Sequence, residues 1–224
     1  MSRPRHRILP PPDPYLRQRD FYQPEIYDPH VTIVGAGGIG SWLALQLVKL
    51  GVHRLTLYDA DIVATHNLST TPYVCADVGK PKVQALKSLL EVHGRAASSK
   101  ATRLRVKTVR KFYVGQPLPA KGILISAVDS MDARRVLFKM AIKYKQQLYI
   151  DGRIGGENLR VYAIQPKSPH DRKLYRKTLV PNHRVLPLPC TGQQVVDVGW
   201  FTTSLMTRAL RQFVAEGRYT PELI

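Results

Sequence analysis

The 224-residue chain is long enough for one α/β domain with its own core, and we expect no second complete domain. Its 34 Lys and Arg against 16 Asp and Glu give a formal net charge of +18, which favours an acidic partner such as nucleic acid, an acidic protein or a nucleotide. The two cysteines, Cys75 and Cys190, form no CxxC pair and argue against a zinc knuckle, and no apolar run predicts a signal core or a membrane span, so we expect a reducing cytoplasm.

The first 23 residues are basic and rich in proline. Residues 1–14 include three consecutive prolines, which exclude a helix there, and we expect a tether. Residues 15–23, YLRQRDFYQ, predict either a short helix or a solvated basic turn. Arg17 and Gln18 are available for contacts in either case.

Residues 31–61 predict a strand, a glycine loop, a helix ending at Gly51 and a second strand in unbroken succession. The second strand ends at Asp59, at about the spacing where a carboxylate binds a ribose hydroxyl. This pattern is typical of a nucleotide-binding βαβ unit, although the glycines alone do not distinguish a dinucleotide from ATP. The loop lets a phosphate approach the backbone N–H groups at the start of the helix, through Gly35, Gly37, Gly38 and Gly40.

The stretch after Asp61 is rich in Thr, Ser and Asn, and predicts a loop across the carboxyl ends of the strands. A second helix begins after Gly79 and ends near Gly94. Lys82 falls in its first turn, where the helix dipole does not favour a cation, so this lysine suits a bound anion.

Residues 102–109 alternate apolar and basic side chains and predict a strand with an outward basic face. The apolar run 123–128 predicts a buried parallel strand that ends at Asp129, where a carboxylate lies beside a bound nucleotide and suits magnesium. A helix is expected near 131–145, with Val136, Met140 and Ile142 buried. Two further strands, 148–150 and 159–164, are joined by a turn over 151–157.

Residues 166–191 lose periodicity and are rich in proline and cations, so we expect a long loop. Residues 197–216 recover helical character and predict a helix that packs on the sheet and closes the domain. The predicted fold is α/β: a Rossmann-like, mostly parallel sheet with helices on both faces, a long crossover loop and a C-terminal closing helix. One domain would span 15–217, with a tail over 218–224.

Six motifs in order resemble the ThiF and MoeB adenylyltransferases, bacterial relatives of ubiquitin-activating enzymes, over roughly residues 15–215. GAGGIGS is similar to the family's GxGGxGS. The other matches are the paired aspartates Asp59 and Asp61, the NL step at Asn67, the lysine Lys82 in GKPK, Asp129 with Arg134 five residues later, and the RQ pair at Arg17 and Gln18.

The resemblance implies an ATP- and magnesium-dependent enzyme. By resemblance, Asn67 and Lys82 bind the nucleotide, Asp129 handles magnesium, and Arg17 reaches the phosphates of the neighbouring subunit in a homodimer. Cys190 looks like the nucleophile position of ubiquitin-activating enzymes, although a packing cysteine is an equal alternative. The chain departs from the family at Thr70, Thr71 and Ser130, which replace arginine, glutamine and asparagine, and it lacks the zinc-binding CxxC pairs, so no zinc is expected.

The implied reaction is adenylation of the C-terminal carboxylate of a ubiquitin-like or sulfur-carrier protein. A second hypothesis is an RNA-directed relative that activates the carboxylate of a threonylcarbamoyl-adenosine in tRNA, because GGIGSW, with Trp42, is similar to that branch and the basic charge suits phosphate. A third is a binding module weakened by Thr70. An NAD-dependent oxidoreductase has the glycine loop in its favour but no evident hydride-transfer site.

Overall fold

The computed structural model describes residues 13–94, 103–181 and 195–223. Within these ranges the chain forms a seven-stranded sheet in the order β3-β2-β1-β4-β5-β6-β7. The pairings from β3 through β5 are parallel, and those of β5 with β6 and of β6 with β7 are antiparallel. The strands are β1 His30–Val34, β2 Arg54–Tyr58, β3 Arg105–Val109, β4 Ile123–Ser126, β5 Leu148–Gly155, β6 Asn158–Ile164 and β7 Glu222–Leu223.

Helices cover both faces of this sheet. One face carries α1, α2 and α5, and the other carries α3 and α4, so each face has its own apolar core. This confirms the predicted Rossmann-like, mostly parallel architecture. The helices are α1 Gly40–Leu50, α2 Lys82–Gly94, α3 Met131–Lys143, α4 Pro169–Lys177 and α5 Val196–Glu216.

The central strand β4 is buried along its whole length because helices lie above and below it. Ile123 and Ile125 face the core shared with α1 and α5, whereas Leu124 faces the core shared with α3. Strand alternation across a doubly covered sheet therefore explains why β4 is a continuous apolar run. The carboxyl ends of β1 and β4 lie side by side at the point where the strand order reverses, which is where ligands bind in such sheets.

Two predictions around β5 and α3 were wrong in detail. β5 continues through Gly155 instead of ending at residue 150, because antiparallel pairing with β6 places Asp151 opposite Tyr162 and extends the ladder. On α3, Met140 is buried as predicted, but Val136 and Ile142 are only partly buried. The side of α3 that faces the sheet buries Leu137, Phe138 and Ala141 instead.

The segment predicted as a long loop, 166–191, contains a helix in its described part. α4 has a proline in its first turn, and the Oγ of Ser168 accepts a hydrogen bond from the backbone N–H of Asp171 at 3.2 Å. Its buried side chains are Asp171 and Tyr175. The helix therefore has almost no periodic pattern of apolar residues from which it could be predicted. Residues 182–191 of the predicted loop lie outside the described residues.

The C-terminal region returns to the sheet. α5 ends at Glu216 and is capped by Gly217, whose φ of +67° lies in the left-handed region. The segment expected as a tail, 218–224, supplies β7, which pairs with Val161 and Tyr162 of β6. In the described ranges, no helix combines the length and hydropathy that crossing a membrane requires.

Candidate nucleotide-binding site

The glycine loop, residues 35–40, connects β1 to α1 at the carboxyl edge of the sheet. Gly35 has a φ of +99°, and a Cβ there would lie 2.2 Å from the carbonyl oxygen of Ala127. A Cβ on Gly40 would lie 1.8 Å from the carbonyl oxygen of Gly35. These two glycines are therefore required by close packing of the loop against itself and against the end of β4. A Cβ on Gly37 would meet no atom within 4 Å, so the loop is open on that side.

The N-terminus of α1 is left available to an anion. Its N-cap residue is Ile39, and no side chain of the described residues caps this end of the helix. The hydroxyl of Ser41 is buried and donates a 2.6 Å hydrogen bond to the carbonyl of Gly37, which fixes the shape of the loop. Backbone N–H groups and the helix dipole together make such an end a phosphate-binding position.

Asp59 supports the loop directly. One carboxylate oxygen accepts the backbone N–H of Ala36 at 2.6 Å, and the other accepts the N–H of Asp61 at 2.8 Å. The structure thus gives this residue a role that the sequence did not predict. The role predicted for it, contact with a ribose hydroxyl, stays a prediction.

Tyr73 is a site residue that sequence reasoning missed. Its hydroxyl donates to the carbonyl of Ala36 at 2.8 Å and lies 3.3 Å from the carbonyl of Lys82, so it ties the glycine loop to α2. Burial, reinforced by the charges of Asp59 and Asp77, raises its pKa well above the ordinary value, and the phenol remains a hydrogen-bond donor at neutral pH. A lone tyrosine in a polar loop gave no signal from which this contact could be found.

Lys82 lies at the same edge as the glycine loop. Its Nζ is 2.9 Å from a carboxylate oxygen of Asp61, and its backbone N–H donates to the Asp61 carbonyl at 2.9 Å. The lysine side chain is 11% exposed, whereas the aspartate side chain is 55% exposed. Because the aspartate is well hydrated, it can turn to solvent while the lysine exchanges this carboxylate for a phosphate, which satisfies the same positive charge.

Asn67 has a structural role in the loop that follows Asp61. Its Oδ1 accepts the backbone N–H of Ala64 at 2.9 Å, and its carbonyl accepts the hydroxyl of Thr71 at 2.7 Å. The carbonyl of Thr70 accepts the indole N–H of Trp42 at 3.0 Å, which anchors the loop to α1. The predicted contact between Asn67 and the nucleotide stays a prediction.

Asp129 is exposed between the end of β4 and the start of α3. The next residue, Ser130, caps α3 by accepting the N–H of Ala133 at 3.2 Å. In the part of the chain that is described, no group of three or more His, Cys, Asp and Glu side chains could hold a metal ion. A magnesium ion bound largely through nucleotide phosphates and water needs only one or two protein carboxylates, and an exposed carboxylate at a strand end suits that requirement.

Arg134, the arginine five residues after Asp129 in the family match, points into the protein. Its guanidinium is 3.1 Å from the carboxylate of Asp151 and donates to the carbonyl of Gly152 at 3.3 Å. Asp151 has no exposed surface and also binds Arg153 at 2.6 Å and the hydroxyl of Tyr175 at 2.9 Å. This buried cluster fixes the start of α3, and with it the position of Asp129, to β5 and α4.

Two of the predicted site residues, Arg17 and Cys190, are not found at this site among the described residues. Arg17 is exposed, and the neighbouring Gln18 donates to the carbonyl of Leu50 at 2.8 Å, at the C-terminal end of α1. Because α1 has 11 residues, that end is roughly 16 Å from the glycine loop. Cys190 lies outside the described residues. Cys75 is exposed in the loop between β2 and α2.

Residues 17–213 match the sequence profile of the ThiF family. The chain belongs to the ThiF family. This ThiF-family chain is 38% identical over 69 residues to tRNA threonylcarbamoyladenosine dehydratase 1 of Saccharomyces cerevisiae, a match that covers 30% of the chain and 16% of that protein. It is 28% identical over 141 residues to ubiquitin-like modifier-activating enzyme 5 of Caenorhabditis briggsae, covering 59% of the chain and 32% of that protein. The matches thus span a third or less of each curated relative.

Solved structures share the ThiF-family fold. Escherichia coli MccB with AMPCPP and MccA superposes with a TM-score of 0.68 at 18% identity, covering 87% of this chain and 58% of MccB. PaaA superposes with a TM-score of 0.65 at 21% identity, covering 89% and 59%. At these identities the likeness establishes the fold alone.

Proposed function

We propose that this ThiF-family chain is an ATP- and magnesium-dependent adenylyltransferase that activates the C-terminal carboxylate of a ubiquitin-like or sulfur-carrier protein. The observation that carries the proposal is the placement of Lys82 and the uncapped start of α1 at one edge of the sheet, within the described residues. Both favour an anion of high charge. Family membership, together with the MccB structures that contain ATP or AMPCPP with MccA, favours a nucleoside triphosphate and a peptide carboxylate.

Each residue at the edge has a proposed part in binding. At the open side of Gly37, backbone N–H groups of the first turn of α1 donate hydrogen bonds to phosphate oxygens, and Lys82 moves from Asp61 to the triphosphate. Asp59 uses one hydrogen bond on each oxygen for the loop and retains lone pairs for a ribose hydroxyl. Asp129 would hold magnesium, which supplies charge neutralisation on the phosphates.

The proposed reaction joins two anions. A carboxylate oxygen of the substrate attacks the α-phosphorus of ATP, the bond to the bridging oxygen breaks, and pyrophosphate leaves with the bonding electron pair. No general base is required because a C-terminal carboxylate is already ionised at pH 7. The task of the protein is to neutralise and align the reactants, and Lys82 together with the fixed N–H groups of α1 is suited to it.

Two further parts of the proposal concern Arg17 and Cys190. In a homodimer, Arg17 would extend to the phosphates bound by the partner subunit, which suits its exposure and its distance from the glycine loop of its own chain. Cys190 would take the activated acyl group as a thioester, releasing AMP.

ATP–pyrophosphate exchange tests the proposal. Lys82→Ala should lower exchange roughly 100-fold or more in the presence of the carboxylate substrate, because a cation that stabilises the transition state is lost. The matched control is Lys80→Ala, since Lys80 lies two residues before Lys82, pairs with Asp77 at 3.0 Å and is not expected to contact ATP. Equal activity of the Lys82 variant and the wild type would refute the assignment. Titration calorimetry with ATP, magnesium and NAD would separate a nucleotide-binding module from an NAD-dependent oxidoreductase.

An RNA-directed reaction is the second candidate. The match to the S. cerevisiae dehydratase, at 38% identity over 69 residues, and the net charge of +18 favour it. Exchange that depends on tRNA carrying a carboxylated adenosine, and not on any carrier protein, would support this alternative.

A further inference from the structure

The excess positive charge of this chain is concentrated in one part of the described sequence. Residues 103–181 contain 18 Lys and Arg against 5 Asp and Glu, whereas residues 13–94 contain 7 against 8. The half of the chain that builds the glycine loop is therefore close to neutral, and the half that builds α3 and α4 is strongly basic. A uniformly basic, solvated surface would not show this division.

The fold places α3 and α4 side by side on one face of the sheet. The rings of Phe138 and Tyr175 lie 4.5 Å apart between the helices, and the guanidinium of Arg135 donates to the carbonyl of Val180 at 2.6 Å. On the solvent side of each helix, cationic residues recur every four positions, which separates them by roughly 6 Å along the helix axis. We call the following set the α3/α4 basic face: Lys139, Lys143, Arg172, Lys173, Arg176 and Lys177.

The charge of this face is not compensated by the described carboxylates. None of its six side chains takes part in a salt bridge among the described residues. The acidic residue of α4, Asp171, is buried, where it accepts the N–H of Gln165 and the hydroxyl of Tyr219, each at 2.9 Å. On α3, Asp132 is exposed in the first turn and pairs with Arg135 at 2.5 Å, outside the six residues of the face. The six cations therefore have no salt-bridge partner among the described residues.

Its composition favours a nucleic acid over a membrane or a protein. None of the large apolar side chains exposed in the described ranges belongs to α3 or α4, because the aromatic residues of these helices are buried between them and the sheet. Membrane-surface helices insert apolar side chains, and protein interfaces have an apolar centre. A sequence-independent contact with nucleic-acid phosphates uses Lys and Arg and needs no exposed apolar side chains.

We infer that the α3/α4 basic face binds the phosphate backbone of a nucleic acid. The face lies beside the nucleotide site. α3 starts at Met131, two residues after Asp129, at the carboxyl edge of the sheet, and α4 ends near the same edge, where Arg153 contacts Thr178. This inference goes beyond the proposed adenylation. The proposed nucleic-acid binding does not require ATP, so the inference can be tested independently of pyrophosphate exchange.

Fluorescence anisotropy with the full chain and a labelled 20-base-pair RNA duplex tests the inference between 50 and 200 mM salt. The triple variant Lys139→Gln/Lys173→Gln/Lys177→Gln should reduce the slope of log affinity against log salt by roughly 2 to 3 and weaken binding on the order of 10- to 100-fold near 100 mM salt. These side chains are exposed, so the variant should keep the wild-type circular dichroism spectrum.

The matched control removes the same number of charges from the opposite edge of the sheet. Arg103→Gln/Arg105→Gln/Lys107→Gln changes exposed side chains on and beside β3, and it should leave the salt slope within about one unit of the wild type. Equal loss of binding in both variants would overturn the inference. So would the absence of RNA binding by the wild type, or displacement of the RNA by polyglutamate as effectively as by unlabelled duplex, which would indicate an acidic-protein partner.

Discussion

Removing the charge of Asp151 tests the buried cluster that connects β5, α3 and α4. The Asp151 carboxylate is fully buried and is in contact with two guanidinium groups and one phenol. Asp151→Asn keeps the size of the side chain but leaves Arg134 and Arg153 without a negative partner. It also points an amide N–H₂ group at groups that are themselves donors.

The expected cost follows from burial. Breaking a buried ion pair by neutralising one partner typically costs about 3 to 5 kcal/mol, because the remaining charge stays desolvated. Both arginine side chains here are largely buried, at 6% and 13% exposure, so we expect the upper part of that range. Since a domain is stable by roughly 5 to 15 kcal/mol, the variant should lose a large fraction of its stability.

Urea unfolding followed by circular dichroism measures this loss. The midpoint should fall strongly in Asp151→Asn with little change in slope. The matched control is Glu222→Gln, which neutralises an exposed ion pair with Arg160 and should cost at most about 1 kcal/mol. If Asp151→Asn unfolds within 1 kcal/mol of the wild type, the cluster does not stabilise the packing of α3 and α4 in the way described.

The remaining predictions concern the reaction and pH. Asp129→Ala should abolish pyrophosphate exchange and leave the urea midpoint unchanged, because the side chain is exposed; retained exchange would remove it from the site. Mixing Arg17→Ala with Asp129→Ala protein should restore activity through hybrid dimers, and a fully active monomer in sedimentation would contradict this. Cys190→Ala should keep exchange but lose any reducible partner adduct, with Cys75→Ala as control. Burial, with the Arg54 charge, lowers the pKa of His30 below 6.5, so the stability contributed by the neutral ring should be lost as the pH falls below that value, and His30→Gln should flatten this dependence in unfolding experiments.

Local signals account for what the sequence could predict. The glycine loop, α1 and β2 follow from glycine spacing and from 3.6- and 2-residue periodicity, which neighbouring residues encode without help from the rest of the fold. The same holds for Lys82 at the carboxyl edge, since strand and helix order alone place it there. Its ion pair with Asp61 was not predicted, because a contact between side chains depends on the path of the intervening loop.

Long-range packing explains what the sequence did not reveal. α4 is mostly charged and buries one tyrosine and one aspartate, so it lacks the apolar stripe that marks a helix. Asp151 meets Tyr175 only because β6 returns antiparallel and places α4 on the face already covered by α3. The contact of Asp59 with the Ala36 N–H likewise joins positions 23 residues apart, so it depends on how the strands are placed side by side.

The aromatic contact between Trp42 and Trp200 gives the protein an intrinsic optical reporter. These are the only two tryptophans in the sequence, and their rings lie 5.4 Å apart in an edge-to-face arrangement. Trp42 is in the first turn of α1, directly after the glycine loop, and Trp200 is in the first turns of α5 and 49% exposed. Indole emission depends on solvent contact and on neighbouring groups, so a ligand that shifts the start of α1 would alter the fluorescence of an unlabelled wild-type chain.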